Sequence, residues 1–361
     1  AYTKFLFEAR NGKYSNFQWD KSCFTGIDHA VGEKTSAVYI LDHAKEGWKA
    51  VIGKEKGNFD FLMLNDIETR NPNVVAELKR WGKWYYDAAQ FDGVRLDAVK
   101  HMDPAFVNEW IGYLRTEINP NLKAIAEFWL SDDLGVLLDY LDATNNRVKL
   151  FDAPLHHNIV AASLLREKFD LRTLLNETLL GTRSEQAVTF VDNHDTQPGQ
   201  SLEEYTAGWF KRLAYAFVLL RKDGLPCIFY PDLFGGMNKE ETEFPQMEKV
   251  PELPLLLKIR SQYAYGEQHD YHDDPNCIGF TRTGLPGNTE KGCAVLISNS
   301  RSEVKTKRMY VGNQFVGHYF INTMNMDERT PIEEDGFGSF SIMPSGIAVY
   351  IPNSIIADNL S

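Results

Sequence analysis

A chain of 361 residues that is 43% hydrophobic and 24% charged has enough apolar material for a large packed core and for two or three domains. Its 50 Asp and Glu outnumber 38 Lys and Arg, and a formal net charge of −12 repels phosphate backbones, which argues against nucleic acid as a partner. No run reaches the roughly 20 apolar residues that span a membrane, no signal-like pattern is present, and Cys23, Cys227, Cys277 and Cys293 are scattered without a CxxC pair. The cysteines read as mostly buried thiols, with one disulfide left open as an alternative. The 12% aromatic content reads first as an aromatic core and second as a surface that stacks flat ligand faces.

Three textures follow one another along the chain. Residues 1–65 are rich in Gly, Lys, Asp and aromatics and lack helical periodicity, so they read as loop and short strands. From 66 to 267, short apolar runs alternate with amphipathic stretches. The helices are predicted at Asn73–Ala89, Pro104–Ile118, Leu134–Leu141, Leu171–Leu180 and Tyr205–Arg221. The strands between them are predicted at Gly93–Asp97, Ala124–Phe128, Lys149–Phe151, Ala187–Val191 and Pro226–Tyr230. Such alternation argues for parallel strands with helices outside, as a doubly wound sheet or a β/α barrel. From 268 to 361 the helical pattern stops. Cys293–Ile297, His318–Ile321 and Ile347–Ile351 read as strands between Gly and Asn turns, hence an antiparallel β domain.

Three of the apolar strands run into carboxylates. Gly93–Asp97 ends on Arg95 and Asp97, which alternation puts on one face. Lys123-Ala124-Ile125-Ala126 leads to Glu127, and Val188–Val191 leads to Asp192, Asn193, His194 and Asp195. Any one of these reads equally well as a helix cap after a strand. Together they fit the strand ends of a barrel, where catalytic groups gather. Converging carboxylates suit glycoside hydrolysis, which needs one ionised group beside the anomeric carbon and one protonated group at the leaving oxygen. Arg95 would keep Asp97 ionised, and the apolar surroundings of Glu127 suit a general acid.

Gly93-Val94-Arg95-Leu96-Asp97-Ala98-Val99-Lys100-His101 resembles the nucleophile-strand motif of the α-amylase family, glycoside hydrolase family 13. Ala126-Glu127-Phe128-Trp129 resembles its acid/base strand. Phe190-Val191-Asp192-Asn193-His194-Asp195-Thr196-Gln197-Pro198-Gly199 resembles its third-carboxylate strand, in the form of the bacterial liquefying and cytoplasmic types. Flanking segments agree: Gly57-Asn58-Phe59-Asp60-Phe61-Leu62-Met63 and Gln262-Tyr263-Ala264-Tyr265-Gly266. The resemblance implies endo-hydrolysis of α-1,4-glucosidic bonds in starch, glycogen and maltooligosaccharides with retention. Asp97 would be the nucleophile, Glu127 the general acid/base and Asp195 the third carboxylate. Arg95, Lys100, His101, Trp129 and His194 would line the substrate. A related transglycosylase, or a catalytically silent glucan-binding fragment, is the alternative.

The implied fold is α/β: a (β/α)8 TIM barrel with strands 4–8 in this chain, the remainder of excursion domain B at 1–65, and a C-terminal antiparallel β-sandwich at 268–361. Calcium is the implied cofactor, with Asp60 and Asp66 as carboxylate ligands and the carbonyl of His101 beside them. Lys49 and Arg70 stand where the liquefying types carry further metal-binding Asp, which argues against a second ion. With strands 1–3 unmatched, the chain is expected to begin inside the excursion domain and to be inactive alone. Its open edges call for an associated N-terminal piece, a second copy, or rearranged N-terminal residues. A signal segment would precede Ala1, so a cytoplasmic and a secreted protein both fit.

Overall fold

Caps decide where the chain turns helical. Asn71, Asp103 and Asp133 each accept a backbone N–H from the turn that follows, and Pro72 and Pro104 sit where no N–H is needed. They open α1 (Pro72–Ala89), α2 (Pro104–Glu117) and α3 (Leu134–Ala143). The computed structural model describes residues 2–30, 32, 34–53, 60–236 and 247–353, so Gly57, Asn58 and Phe59 of the first flanking segment lie outside the described residues. The chain divides into two compact units, Ala1–Phe151 and Asp152–Ser361.

In the first unit, β1 (Phe24–Ala30) pairs antiparallel with β2 (Thr35–Ile40) on one side and β3 (Asn65–Ile67) on the other. β1 and β2 fall within the stretch read as loop and short strands, and β3 straddles its end. Three parallel strands follow: β4 (Gly93–Leu96), β5 (Lys123–Ala126) and β6 (Lys149–Phe151). Gly93 is in register with Lys123, and Ile125 with Lys149. Each crossover is a helix, as parallel pairing requires. α2 buries Val107, Trp110, Ile111 and Leu114, and α3 buries Leu134, Leu137, Tyr140 and Leu141.

The second unit opens with α4 (Ala153–Leu165), capped by Asp152, and α5 (Leu179–Thr182). Next come β7 (Ala187–Thr189), α6 (Gly208–Leu220) and β8 (Leu225–Pro226), with Val188 in parallel register with Leu225. α7 (Tyr230–Phe234) and α8 (Leu253–Gln262) complete the helical part, and α6 packs on both α4 and α8. At Gly266 (φ +88°) a side chain would fall 2.0 Å from the Gly284 carbonyl oxygen, so only glycine lets the chain pass. Beyond it the described residues form eight antiparallel strands: β9 (Gln268–Asp274), β10 (Cys277–Arg282), β11 (Cys293–Ser298), β12 (Lys305–Tyr310), β13 (Tyr319–Asn322), β14 (Asn325–Pro331), β15 (Phe337–Ile342) and β16 (Ile347–Pro352). Six form a sheet in the order β14-β13-β16-β11-β10-β9, and β12 pairs with β15. Leu296, Phe320 and Tyr350 of the larger sheet and Met309, Phe340 and Ile342 of the smaller share one buried core.

Two helix expectations need correction. Leu171–Leu180 is not one helix but a 3-10 turn at Leu171–Thr173 and the short α5. The Asn158 amide takes the carbonyls of Leu174 and Asn176, which a continuous helix would need, and Thr178 caps a new start. α4 went unpredicted because it is buried on nearly every side, with Leu155, His156, Ile159, Val160 and Ala162 all enclosed, and so lacks an amphipathic stripe. β4, β5, β7 and β8 are shorter than expected at their carboxyl ends, so Asp97 and Glu127 stand just beyond β4 and β5, while Asp195 lies six residues past the end of β7.

Candidate active site

The ends of β4 and β5 are laced together. The Glu127 N–H donates to the Leu96 carbonyl at 2.9 Å, and the Val99 N–H donates to the Glu127 carbonyl at 2.9 Å. Between them Ala98 turns the chain with φ +48°, a left-handed conformation that costs a residue with a Cβ. That turn aims the Ala98 N–H at Glu127 Oε2, 2.8 Å away. Glu127 is only 7% exposed, whereas the Asp97 side chain is 67% exposed. Arg95 Nη1 contacts Asp97 Oδ1 at 2.5 Å, the same-face pairing expected from strand alternation, and its guanidinium lies 6.0 Å from the Phe151 ring centroid. Lys100 donates from Nζ to the Trp129 carbonyl at 3.0 Å, so these two expected lining residues meet. His101 ends the 3-10 turn Val99–His101 directly after the lacing.

In the second unit, the Asn193 side chain shapes the turn after β7. Its Oδ1 accepts the N–H groups of Asp195 at 2.8 Å and Thr196 at 2.9 Å. Asp195 is thereby presented with His194, whose Nε2 lies 3.3 Å from Asp195 Oδ2. Asp192 faces the opposite fate. It is buried, accepts the Thr206 N–H at 2.9 Å and pairs with Lys211 at 2.8 Å. Lys211 also reaches Asp232 Oδ1 at 2.6 Å, and Tyr215 donates to Asp232 Oδ2 at 2.6 Å. Burial pushes the Asp192 carboxyl up, with Lys211 opposing. His156 bridges the Val191 carbonyl at 2.6 Å and the Glu204 carbonyl at 2.9 Å, tying both ends of the segment that carries Asp195. The sequence reading names Asn193 in the strand-end cluster without this turn-shaping role, and it misses Lys211 and His156. Lys211 and His156 lie on helices, and no local pattern links them to the strand end.

Asp60 and Asp66, the expected calcium ligands, do come together, but around a lysine. Lys49 Nζ lies 3.0 Å from Asp60 Oδ2 and 2.6 Å from Asp66 Oδ2. Asp60 Oδ1 is buried and has no hydrogen-bond partner. Beside them Arg70 grips Glu68 at 2.8 and 2.6 Å and donates to the Gly47 carbonyl. Among the described residues, no three His, Cys, Asp or Glu side chains form a metal-holding group. Nor is any helix among them long and apolar enough to cross a membrane.

No family model matches the chain. It is 41% identical over 352 residues to an α-amylase of Bacillus licheniformis, across 97% of this chain and 67% of that protein. It is 40% identical over 367 residues to an α-amylase of Geobacillus stearothermophilus, across 100% of this chain and 64% of that protein. With the cytoplasmic α-amylase of Escherichia coli K12 it shares 36% identity over 364 residues, 99% of this chain and 72% of that one. The chain thus spans about two thirds of the length of the curated relatives it matches. Among solved structures, an Anoxybacillus α-amylase superposes with a TM-score of 0.60 at 19% identity, over 80% of this chain and 65% of that one. The acarbose complex of a Geobacillus thermoleovorans α-amylase gives 0.60 at 20% identity, over 84% and 70%. These likenesses bear on the fold, which is that of the α-amylases.

Proposed function

The chain belongs to the α-amylase family of glycoside hydrolases, and from that premise we propose that the intact protein hydrolyses α-1,4-glucosidic bonds in starch, glycogen and maltooligosaccharides with retention. The observation that carries this reading is 41% identity to an α-amylase over nearly the whole chain. In three-domain terms, residues 1–65 belong to excursion domain B, 66–267 supply barrel strands 4–8, and 268–361 make a C-terminal β-sandwich.

Asp97 is the nucleophile, with the Arg95 guanidinium as counter-charge to its carboxylate. One Asp97 oxygen attacks the anomeric carbon, the glycosidic C–O bond breaks, and Glu127 gives its proton to the departing oxygen. Glu127 then takes a proton from water, the water oxygen attacks the same carbon, and the Asp97 ester is released. The lacing of β4 to β5 supports this pairing, because it fixes both groups to adjacent strand ends. Asp195 binds hydroxyls of the distorted sugar, with His194 on the same ring. Lys100, His101 and Trp129 line the leaving-group side.

Members of this family generally bind calcium, and the unpartnered Asp60 Oδ1 suits a hard cation. Asp60, Asp66 and the His101 carbonyl would hold it. There it would join the loop to the strands and take no part in bond breaking.

Asp97→Asn and Glu127→Gln are each expected to cut starch hydrolysis by at least about 10³-fold with little change in melting. The two carboxyl groups should stand about 5–5.5 Å apart, the retaining geometry. Retained activity in either variant, or a product of inverted anomeric configuration by NMR, would sink the mechanism. Product analysis on maltoheptaose separates hydrolysis from transglycosylation.

A further inference from the structure

Lysine is rarely enclosed, yet the Lys49 side chain is 3% exposed. Its three N–H groups are all used: by Thr25 Oγ1 at 2.9 Å, Asp66 Oδ2 at 2.6 Å and the Ile67 carbonyl at 3.0 Å. Asp60 Oδ2, at 3.0 Å, is a fourth neighbour, and it also accepts the backbone N–H of Lys49 at 2.8 Å. Among the described residues, four oxygens, two of them on carboxylates, surround this positive charge. They come from β1, from β3 and from Asp60 in the loop between β2 and β3. An all-oxygen shell of carboxylates, hydroxyl and carbonyl is what a hard metal ion collects. A surface ion pair, by contrast, leaves its ammonium largely to water.

We propose that the Lys49 ammonium is a tethered cation, filling an oxygen cage of Thr25, Asp60, Asp66 and Ile67 that would otherwise take a monovalent metal ion. It ties β1, β3 and the Asp60 loop together with no ion drawn from solution at this position. The neighbouring anion is closed the same way. Glu68, also buried, receives the Arg70 guanidinium through two bonds and faces the Thr25 hydroxyl at 3.4 Å. Lys49 takes Asp60 Oδ2 and Asp66 Oδ2 and leaves Asp60 Oδ1 over, so the proposal concerns a position beside the calcium position, with which it shares Asp60 and Asp66. It also stands apart from glucan hydrolysis, because its readout is melting.

The test follows thermal unfolding of the intact protein in sodium chloride and in choline chloride of equal ionic strength, at one fixed calcium concentration. The native protein is expected to melt at the same temperature in both. A sodium-specific rise would mean that a diffusible ion already sits in the cage, and would overturn the proposal. Lys49→Met keeps the bulk and removes the charge. It is expected to melt about 5–15 °C lower in both salts, because buried carboxylates lose their counter-charge. Lys49→Ala leaves room for an ion, and is expected to recover part of that loss in sodium and none in choline. The proposal fails if Lys49→Met melts like the native protein. It fails equally if Lys49→Ala shows no sodium-specific recovery, including the case in which it folds in neither salt.

Discussion

Asp152 is fully buried and accepts the N–H groups of Leu155 and Leu179 at 3.1 Å and of Leu180 at 2.7 Å. Burial outweighs those three bonds and pushes its carboxyl up to about 6. A carboxyl raised in the folded state stabilises the fold fully below its unfolded value near 3.8 and loses that contribution as pH climbs through about 6. The loss is about 3 kcal/mol, two units at 1.36 kcal/mol each. Asp152→Asn does not titrate and keeps one acceptor oxygen, but leaves the Leu180 N–H short of a partner. The variant should therefore be clearly less stable than the native protein at pH 4, with the gap narrowing toward pH 7 in denaturant titrations. A gap constant with pH would mean that Asp152 is ionised throughout. At this scale the sequence is most legible where partners are near neighbours. Arg95 and Asp97 meet because extended backbone repeats every two residues. Lys49 meets Asp66 across 17 positions of chain with no periodicity, so its charge suggested exclusion of a metal but not occupation of the cage.

Among the elements, the turn that joins β4 to the 3-10 segment is the most exacting. Ala98 holds φ +48° and donates its N–H to Glu127, so backbone strain and a hydrogen bond to the proposed acid/base sit on one residue. Ala98→Val adds a β-branched side chain where left-handed backbone tolerates it least. We expect a loss of roughly 1–3 kcal/mol in stability together with weaker hydrolysis. Ala98→Gly should melt within about 1 kcal/mol of the native protein, relief of strain being offset by a freer unfolded chain. A valine variant with native melting would show the turn to be pliable. The short strands were legible because each is an apolar run cut off by polar residues. Their true ends were not, because hydrogen-bonded pairing, rather than composition, decides where a strand stops. α4 shows the converse: burial on nearly every side erases the polar face on which helix periodicity depends.

For the whole molecule, family membership rests on identity spread along nearly the entire chain, which no single motif could supply. Around the Lys49 cage, three buried or partly buried carboxylates (Asp60, Asp66 and Glu68) face two cations (Lys49 and Arg70). Among these five groups one negative charge is left over, and the exposed Glu46 adds a further carboxylate 3.5 Å from Arg70. Calorimetric titration of the intact protein should find one calcium per molecule, and chelation should lower the melting temperature. Two tight calcium ions would show that Lys49 and Arg70 do not close the neighbouring positions.

The four cysteines form no disulfide; Cys227 is exposed, while Cys23, Cys277 and Cys293 are buried. Burial pushes the Cys277 and Cys293 thiols up to about 12, so they react only after they are uncovered. Cys23 lies in the first compact unit and the other two buried thiols in the second. A thiol reagent is therefore a pair of clocks. One sulfur should be labelled at once, and peptide mapping of the slow labels then dates the opening of each unit separately. Equal rates at Cys23, Cys277 and Cys293 would mean that the chain opens as one cooperative body, and unequal rates that one unit unfolds while the other still stands.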